Sequence, residues 1–140
     1  MSQSLYSFSL PCKAFSANHM YYKNRSIRTA DYNAWGTLVL ELLEEHKQLH
    51  DMADMWRLSG GIWHIRVNVN YPQYLYYNKA KQVSAKTMDV DNVLKPLIDT
   101  LFGKFLDVND RFITVCVSTK GPGATHSIDI TLELLSLSKK

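Results

Sequence analysis

One segment constrains the fold of this chain more than any other, because residues 63–70 alternate strictly between apolar and polar side chains. The apolar members are Trp63, Ile65, Val67 and Val69, and the polar members between them are His64, Arg66, Asn68 and Asn70. Successive side chains of a strand point to opposite faces of a sheet, so this segment predicts a strand with one buried and one polar face. The fold must therefore cover one face of a sheet and leave the other to solvent or a partner.

The same period of two recurs in three other segments, at residues 6–10, 113–117 and 128–134. Each predicts a further strand, because apolar residues at alternate positions can share one face. Turn-forming residues Gly121, Pro122 and Gly123 separate the last two segments. We therefore expect the last two strands to pair as a hairpin.

Apolar residues at helical spacing predict two helices between these strands. The first begins at a cap, Thr29 or Asp31, and is stopped at residues 59–61. The second carries these residues on one face: Leu94, Leu97, Ile98, Leu101 and Phe105. Pro96 should kink the second helix if Asp91 caps it; alternatively, that helix begins a residue or two later.

The length and composition fit a single domain built from these elements. The chain has 140 residues, of which 46% are apolar and 21% charged, as is typical of a soluble globular protein. We expect an α+β fold in one two-layer domain over residues 1–140, in the order β-α-β-α-β-β. A small mixed sheet would carry both helices on one face.

Membrane and secreted proteins are poor matches to this sequence. It has no run of about 18 apolar residues that could span a bilayer. Its first residues lack the basic and then apolar pattern of a secretory signal. Cys12 and Cys116 show no metal-binding spacing and predict reduced thiols. We expect an intracellular protein without a membrane partner.

The distribution of charge is more informative than the net charge of +3. Residues 1–30 contain no acid, and their basic residues are Lys13, Lys23, Arg25 and Arg28. A second basic stretch, Lys79, Lys81 and Lys86, precedes an acidic segment. Basic groups beside carboxylates suit a protein that attracts a polyanion and also holds a cation. For each lysine taken singly, a solvated surface charge is the better interpretation.

The acidic segment, residues 89–110, contains the candidate catalytic residues. Asp89 and Asp91 are two apart, and in an extended chain their side chains would point to one side. Two carboxylates so close repel each other unless a cation lies between them, and Mg²⁺ prefers such oxygen ligands. Lys95 lies one helical turn on, and Asp110 precedes the third strand. Three carboxylates and a lysine can serve metal-assisted cleavage of a phosphodiester.

Three other structures could place aspartates in this segment: a helix cap followed by a turn, a calcium-binding loop, or a phosphatase nucleophile. Asp89 or Asp91 could cap a helix, and residues 107–110 could be a turn. A calcium loop beginning at Asp89 would need Gly where Leu94 stands and Glu where Thr100 stands. A phosphatase nucleophile should follow an apolar strand, which Asp89 does not. The spacing alone leaves the capping interpretation open.

The segment resembles the RusA family of Holliday junction resolvases. The family pattern is D-x-D-N, a lysine four residues after the second Asp, a D-A-L-like step and an Asp before the next strand. The matching residues are Asp89-Val90-Asp91-Asn92, Lys95, Asp99-Thr100-Leu101 and Asp110-Arg111-Phe112-Ile113. Residues 16–23 resemble the N-terminal loop of the family, and the strands at HIRVNVNYP and SIDITLEL also correspond.

The resemblance implies residue roles and partners. Asp89, Asp91 and Asp110 would hold Mg²⁺, with Mn²⁺ as a substitute, and Lys95 would be required for cleavage. Branched DNA, a four-way junction, would be the substrate of a homodimer with one site per subunit. The resemblance also implies that Asn18, Tyr22 and Lys23 contact DNA, and the basic stretch before the motif adds Lys79, Lys81 and Lys86 to the expected contacts.

Two departures from the family pattern affect the acidic site and its flank. The family often has two adjacent acids before the third strand, whereas here the first is Asn109 and an additional Asp107 lies upstream. Tyrosines replace expected arginines before the motif, at Tyr74, Tyr76 and Tyr77. They could stack on unpaired bases, but covering a sheet or a dimer interface is the preferred interpretation.

The resulting hypothesis is a magnesium-dependent endonuclease that resolves Holliday junctions by paired symmetric hydrolysis in recombination and repair. We expect it in the cytoplasm of a bacterial or phage-infected cell. One alternative is a non-catalytic module of the same fold that binds branched DNA. Another is a metal-dependent enzyme for a small phosphorylated substrate.

Overall fold

Four strands form one mixed sheet in a computed structural model that describes residues 2–22 and 27–136. The strands are β1 (Ser2–Leu10), β2 (Ile62–Pro72), β3 (Ile113–Gly123) and β4 (Ser127–Ser136), in the order β1-β4-β2-β3 across the sheet. β4 pairs antiparallel with both β1 and β2, whereas β3 pairs parallel with β2. The predicted α+β class and mixed sheet are confirmed.

The predicted hairpin of β3 and β4 is wrong, because β2 lies between them. β3 does not turn at residues 121–123 but continues to pair with the end of β2. The connection at residues 124–126 then carries the chain past that end, and Ser127 pairs with Asn70 on the other edge of β2. This arrangement satisfies the backbone groups along both edges of β2, the strand with the longest alternating pattern.

The first predicted helix is two helices, α1 (Ala30–Leu43) and α2 (Gln48–Ser59), and a short α3 (Gln73–Tyr76) follows β2. Thr29 caps α1, because its side-chain oxygen accepts a hydrogen bond from the N–H of Tyr32 at 3.1 Å. This selects Thr29 over Asp31 as the cap. Gly60, with φ of 71°, follows the end of α2.

The second predicted helix is a helical run over residues 90–106 with three geometries. A 3₁₀ turn (Val90–Val93) leads into α4 (Leu94–Ile98), which continues as a π-helix (Asp99–Leu106). Pro96 lies in the first turn of α4, where its missing N–H would have no helical partner. The α-helix thus begins after Asp91, as the later of the two predicted starts required.

The helices cover the apolar face of the sheet, and the polar face stays open as predicted. Trp63, Ile65, Val67 and Val69 are all buried, and Trp63 packs edge-on against Phe102 with ring centroids 5.4 Å apart. On the opposite face, the amide of Asn70 donates a hydrogen bond to Asp129 at 2.8 Å. Both layers predicted from the sequence are therefore present.

A shift in register between Trp63 and His64 decides which side chains of β3 face the helices. Beyond it, Val67 pairs with Ser118 and Val69 pairs with Lys120. Paired residues share a face, so Ser118 and Lys120 point to the helical layer. The valines at positions 115 and 117 pair with polar residues of β2 and lie on the open face.

Two findings concern the membrane and the thiols. No helix among residues 2–22 and 27–136 is long and apolar enough to cross a membrane. Cys12 and Cys116 are both free thiols, and burial raises the pKa of Cys12 to about 11.

The core predicts a clear contrast between two leucines. Leu101 is fully buried in the helical run, whereas Leu58 is 82% exposed on α2. Leu101→Ala should lower the free energy of unfolding by about 2–5 kcal/mol, because it leaves a cavity. Leu58→Ala, the matched control, should change it by less than about 0.5 kcal/mol. Equilibrium urea denaturation measures both, and equal effects would contradict this packing.

Candidate functional site

The acidic motif lies where the chain passes from an extended loop into the helical run. Asp89 has extended backbone dihedrals, φ −62° and ψ 143°, whereas Asp91 lies inside the 3₁₀ turn. The N–H of Asn92 donates to the carbonyl oxygen of Asp89 at 3.0 Å and closes this turn. The expected extended conformation is therefore wrong, because the motif bends at Asp91. The Cα atoms of Asp89 and Asp91 are still no more than about 7 Å apart.

Neither aspartate of the motif uses its carboxylate to cap the helix. Asp89 precedes the 3₁₀ turn, but its side chain makes no capping hydrogen bond. Both side chains are exposed. Within the described residues, the ion pairs closer than 4.0 Å involve neither of them. The interpretation of these aspartates as helix caps is therefore not supported, and both carboxylates are available to bind a cation.

Two side chains of β3 fix the backbone on either side of Asp89. The ammonium group of Lys120 donates to the carbonyl oxygen of Met88 at 3.0 Å. The hydroxyl of Ser118 donates to the carbonyl oxygen of Val90 at 2.6 Å. Because these two carbonyls flank Asp89, its position relative to the sheet is held from both directions.

A third contact comes from β2 and completes the support for this segment. The buried hydroxyl of Tyr71 accepts a hydrogen bond from the N–H of Met88 at 3.1 Å. Burial raises the pKa of Tyr71, and the Met88 N–H lowers it. Lys120 also donates to the hydroxyl of Thr87 at 2.9 Å. The sequence does not single out these residues, because their roles depend on the register of β3.

Lys95 lies one turn beyond Asp91 and is close to a carboxylate of its own helix. Its ammonium nitrogen is 3.6 Å from a carboxylate oxygen of Asp99, longer than a hydrogen bond. The Lys95 side chain is 59% exposed. Exposed pairs of this kind contribute little free energy, so Lys95 can leave Asp99 for a phosphate at small cost.

Asp110 lies beyond the end of the helical run, in a 3₁₀ turn that leads into β3. It lines a cleft of about 350 Å³ with Asp99 and Lys104. Asp99, which lines the same cleft, comes eight positions after Asp91, about 12 Å along a helix. Within the described chain, no three His, Cys, Asp or Glu side chains gather as a metal site. The described part of one subunit thus does not gather Asp89, Asp91 and Asp110 as a metal site.

Asn109 and Asp107, which depart from the family pattern near Asp110, lie at the start of a 3₁₀ turn and at the end of the π-helix. The side chain of Asn109 accepts a hydrogen bond from the N–H of Arg111 at 2.9 Å and caps a 3₁₀ turn (Asp110–Phe112). Capping needs an oxygen but no charge, so Asn serves as well as Asp there. Asp107 adopts a left-handed conformation, φ 55°, at the end of the π-helix and is exposed.

The N-terminal loop packs beside the acidic motif. Its 3₁₀ turn (Ala17–His19) contacts the 3₁₀ turn of the motif and α4. Asn18 and Tyr22, two predicted DNA contacts, line a cleft of about 670 Å³ together with Tyr21. Tyr22 is 50% exposed. Lys23, the third predicted contact of this loop, lies outside the described residues.

The predicted lysine contacts lie on the connection between α3 and the motif. Lys79, Lys81 and Lys86 are all exposed. The side-chain oxygen of Asn78 accepts from the N–H groups of Ala80 and Gln82, at 2.9 and 3.0 Å, and organises this loop. The exposed ammonium groups are accessible to a polyanion, and their binding to DNA stays a prediction.

The nearby tyrosines divide into two kinds. Tyr76 is buried against Tyr71, with ring centroids 6.4 Å apart, so it covers the end of the sheet. This agrees with the preferred interpretation of these tyrosines. Tyr74, however, is 80% exposed.

The fold and the site together define a class of protein. A sheet covered on one face supports exposed carboxylates, a nearby lysine and basic loops, which is a suitable combination for work on phosphate esters. The family model for Endodeoxyribonuclease RusA matches residues 11–133, most of the 140-residue chain. The chain belongs to this family and is an enzyme that cleaves DNA. No curated protein matches it.

The donor set fits a hard divalent cation in its chemistry. Asp89 and Asp91 offer exposed carboxylate oxygens, and Mg²⁺ characteristically binds one or two carboxylates and keeps several waters. Two protein carboxylates therefore suffice for a hydrated ion, and the described residues of one subunit do not gather Asp110 with this pair as a metal site.

The hydrogen bonds that hold the backbone around Asp89 predict an effect on the cleavage rate. Tyr71→Phe and Ser118→Ala each remove one hydrogen bond to the motif backbone without changing charge. We expect each to lower kcat for DNA cleavage on the order of 10-fold, because displacing a reacting group by about 1 Å can cost about 10²-fold. DNA affinity in the presence of chelator should change little.

Matched controls are Tyr6→Phe and Ser7→Ala. Tyr6 loses a hydrogen bond to His46 and Ser7 loses one to Thr131, both away from the motif. A fall in kcat as large in these controls would show that general destabilisation, and not the position of Asp89, sets the rate.

Proposed function

We propose that this protein is a magnesium-dependent endonuclease that resolves Holliday junctions by paired symmetric hydrolysis of the DNA backbone. Its cellular role would be in DNA recombination and repair. One observation supports the proposal above all others. Asp89 and Asp91 expose carboxylates that do not cap a helix, on a backbone held in place by side chains of β2 and β3. RusA resolvases act on branched DNA, which supplies the substrate class.

The residues of the motif divide the chemistry between them. Asp89 and Asp91 would hold the ion with their carboxylate oxygens. Bound Mg²⁺ would activate water and stabilise negative charge on the phosphate. Lys95 would turn from Asp99 to neutralise the transition state or the leaving oxygen. Water would attack directly, so none of these residues needs to form a covalent bond to DNA.

The location of Asp110 favours a homodimer with shared sites. If Asp110 is a third ligand, it would come from a second subunit, because Asp89, Asp91 and Asp110 do not gather as a metal site within the described residues of one subunit. Two-fold symmetry would then create two equivalent sites, each with ligands from both subunits. A four-way junction is nearly two-fold symmetric, so two sites could make the two matched nicks that resolution requires.

The basic and aromatic loops would bind the arms of the junction. Asn18 and Tyr22 lie beside the motif, and Lys79, Lys81 and Lys86 extend the basic surface. Contacts of this kind are made mainly to phosphates, so affinity should fall steeply as salt rises. Selection of the junction would then depend on DNA shape.

Cleavage of a synthetic four-way junction tests the reaction and its metal. We expect paired symmetric nicks in Mg²⁺ or Mn²⁺ and none in chelator, with linear duplex of the same sequence left intact. Asp91→Asn should lower the cleavage rate on the order of 10²-fold or more, because it removes a charged ligand. Its folding and its junction affinity in chelator should match the wild type.

Asp51→Asn is the control, since Asp51 is an exposed aspartate on α2 away from the motif. Loss of binding in parallel with cleavage would argue against Asp91 as a catalytic residue. Tight junction binding without cleavage in any divalent metal would favour the non-catalytic module instead. Cleavage inhibited by nucleotides but not by branched DNA would favour a small phosphorylated substrate.

Mixing two inactive variants tests the shared site. A heterodimer of Asp91→Asn and Asp110→Asn subunits would contain one site with both carboxylates and one site with neither. Shared sites therefore predict that each heterodimer nicks one strand, so an equal mixture with random pairing should recover up to about a quarter of the nicking activity of wild type. Sites confined to one subunit would each keep a defect, so the mixture would stay inactive.

A further inference from the structure

Two cations that have no assigned role converge on one buried ring. The guanidinium carbon of Arg28 lies 5.4 Å from the centroid of Tyr32, and the ammonium nitrogen of Lys104 lies 5.9 Å from it. Arg28 precedes α1, whereas Lys104 is on the π-helix. Both line the cleft of about 350 Å³ that contains Asp110.

Neither cation of this pair forms an ion pair closer than 4.0 Å within the described residues, although the carboxylates of Asp99 and Asp110 line the same cleft. Burial and the charge of Arg28 lower the pKa of Lys104, while Asp99 raises it. Two like charges against one ring repel each other, and an anion between them would relieve that repulsion.

The surroundings of the pair suit a chain of phosphates better than a stabilising contact alone. Tyr32, whose ring lies against both cations, is 1% exposed, so the ring itself is shielded from solvent. Gly103 also lines the cleft, and a Cβ added there would meet nothing within 4 Å. The cleft is therefore open to a strand that passes over it.

We propose that Arg28 and Lys104 form a binding site for a backbone phosphodiester of the DNA substrate. The inference rests on the proposed function and deepens it, since it adds a contact beyond the loops at the start of the helical run. Arg28 supplies a planar group that can hold two phosphate oxygens, and Lys104 supplies a point charge. A phosphate held there lies in the same cleft as Asp110, so the bound strand would pass beside that carboxylate.

The salt dependence of junction binding tests the site without requiring cleavage. Four-way junction affinity is measured in chelator across salt concentrations for wild type, Arg28→Gln, Lys104→Gln and the double variant. Each single variant should weaken binding on the order of 3- to 10-fold and reduce the slope of log affinity against log salt by about 1. Lys104→Arg keeps the positive charge, so it should keep both the wild-type affinity and the wild-type salt slope.

Lys47→Gln is the control for loss of one charge, because Lys47 is exposed just before α2 and lies outside the cleft. Slopes in Arg28→Gln and Lys104→Gln that equal the slope of this control would overturn the site. Should Arg28→Gln fail to fold, junctions with single methylphosphonate positions decide the matter. Neutralising the contacted phosphate should weaken the wild type but not Lys104→Gln, and equal weakening of both would overturn the site.

The two proposals fail in different ways. If the wild type cleaves junctions but the variants bind with unchanged slopes, only the Arg28–Lys104 site is wrong. If the wild type neither binds nor cleaves junctions, the proposed function is wrong and this site is wrong with it.

Discussion

The parallel pairing of β3 with β2 is the constraint on which the rest of the site depends. It places Ser118 and Lys120 on the helical side of the sheet, where their donors reach the carbonyls that flank Asp89. With β3 in the predicted hairpin, β2 would lose this neighbour, and the motif would lose its support. The sheet therefore does more than bury apolar surface, because its edge strand holds the backbone of a charged segment that has little core of its own.

The sequence predicted the elements of this fold better than their arrangement. Alternation at residues 63–70 is a local property, and it specified both faces of β2 correctly. The order of strands depends on which edges pair, and nothing in the apolar pattern of β3 distinguishes pairing with β2 from pairing with β4. The break at residues 44–47 was also missed, since the apolar spacing continues from α1 into α2 and hides the interruption.

The candidate site shows the same division between local and distant information. Asp89, Asp91 and Lys95 fall within seven residues, so their proximity along the chain is visible in the sequence. The supporting residues come from strands and could not be inferred without the register. Asp110 depends on distant information: the family pattern implies a common role with Asp91, yet the described residues of one subunit do not gather three carboxylates as a metal site. A pattern of residues records which groups share a function, but not whether they belong to the same subunit.

The helical run separates the carboxylates at its start from the cations near its end, which has a consequence for substrate binding. Its first turn presents uncapped carboxylates, and its π-helical part carries Lys104 towards Arg28. Under the two proposals, the opposite electrostatic tasks of holding a cation and attracting a polyanion would fall at different places along one element. Carboxylates and phosphates repel each other at short range, so phosphate contacts with Arg28 and Lys104 would offset the cost of bringing the strand towards Asp89 and Asp91. In a two-fold dimer, the same spacing would repeat in the opposite direction, which suits a substrate with two equivalent strands.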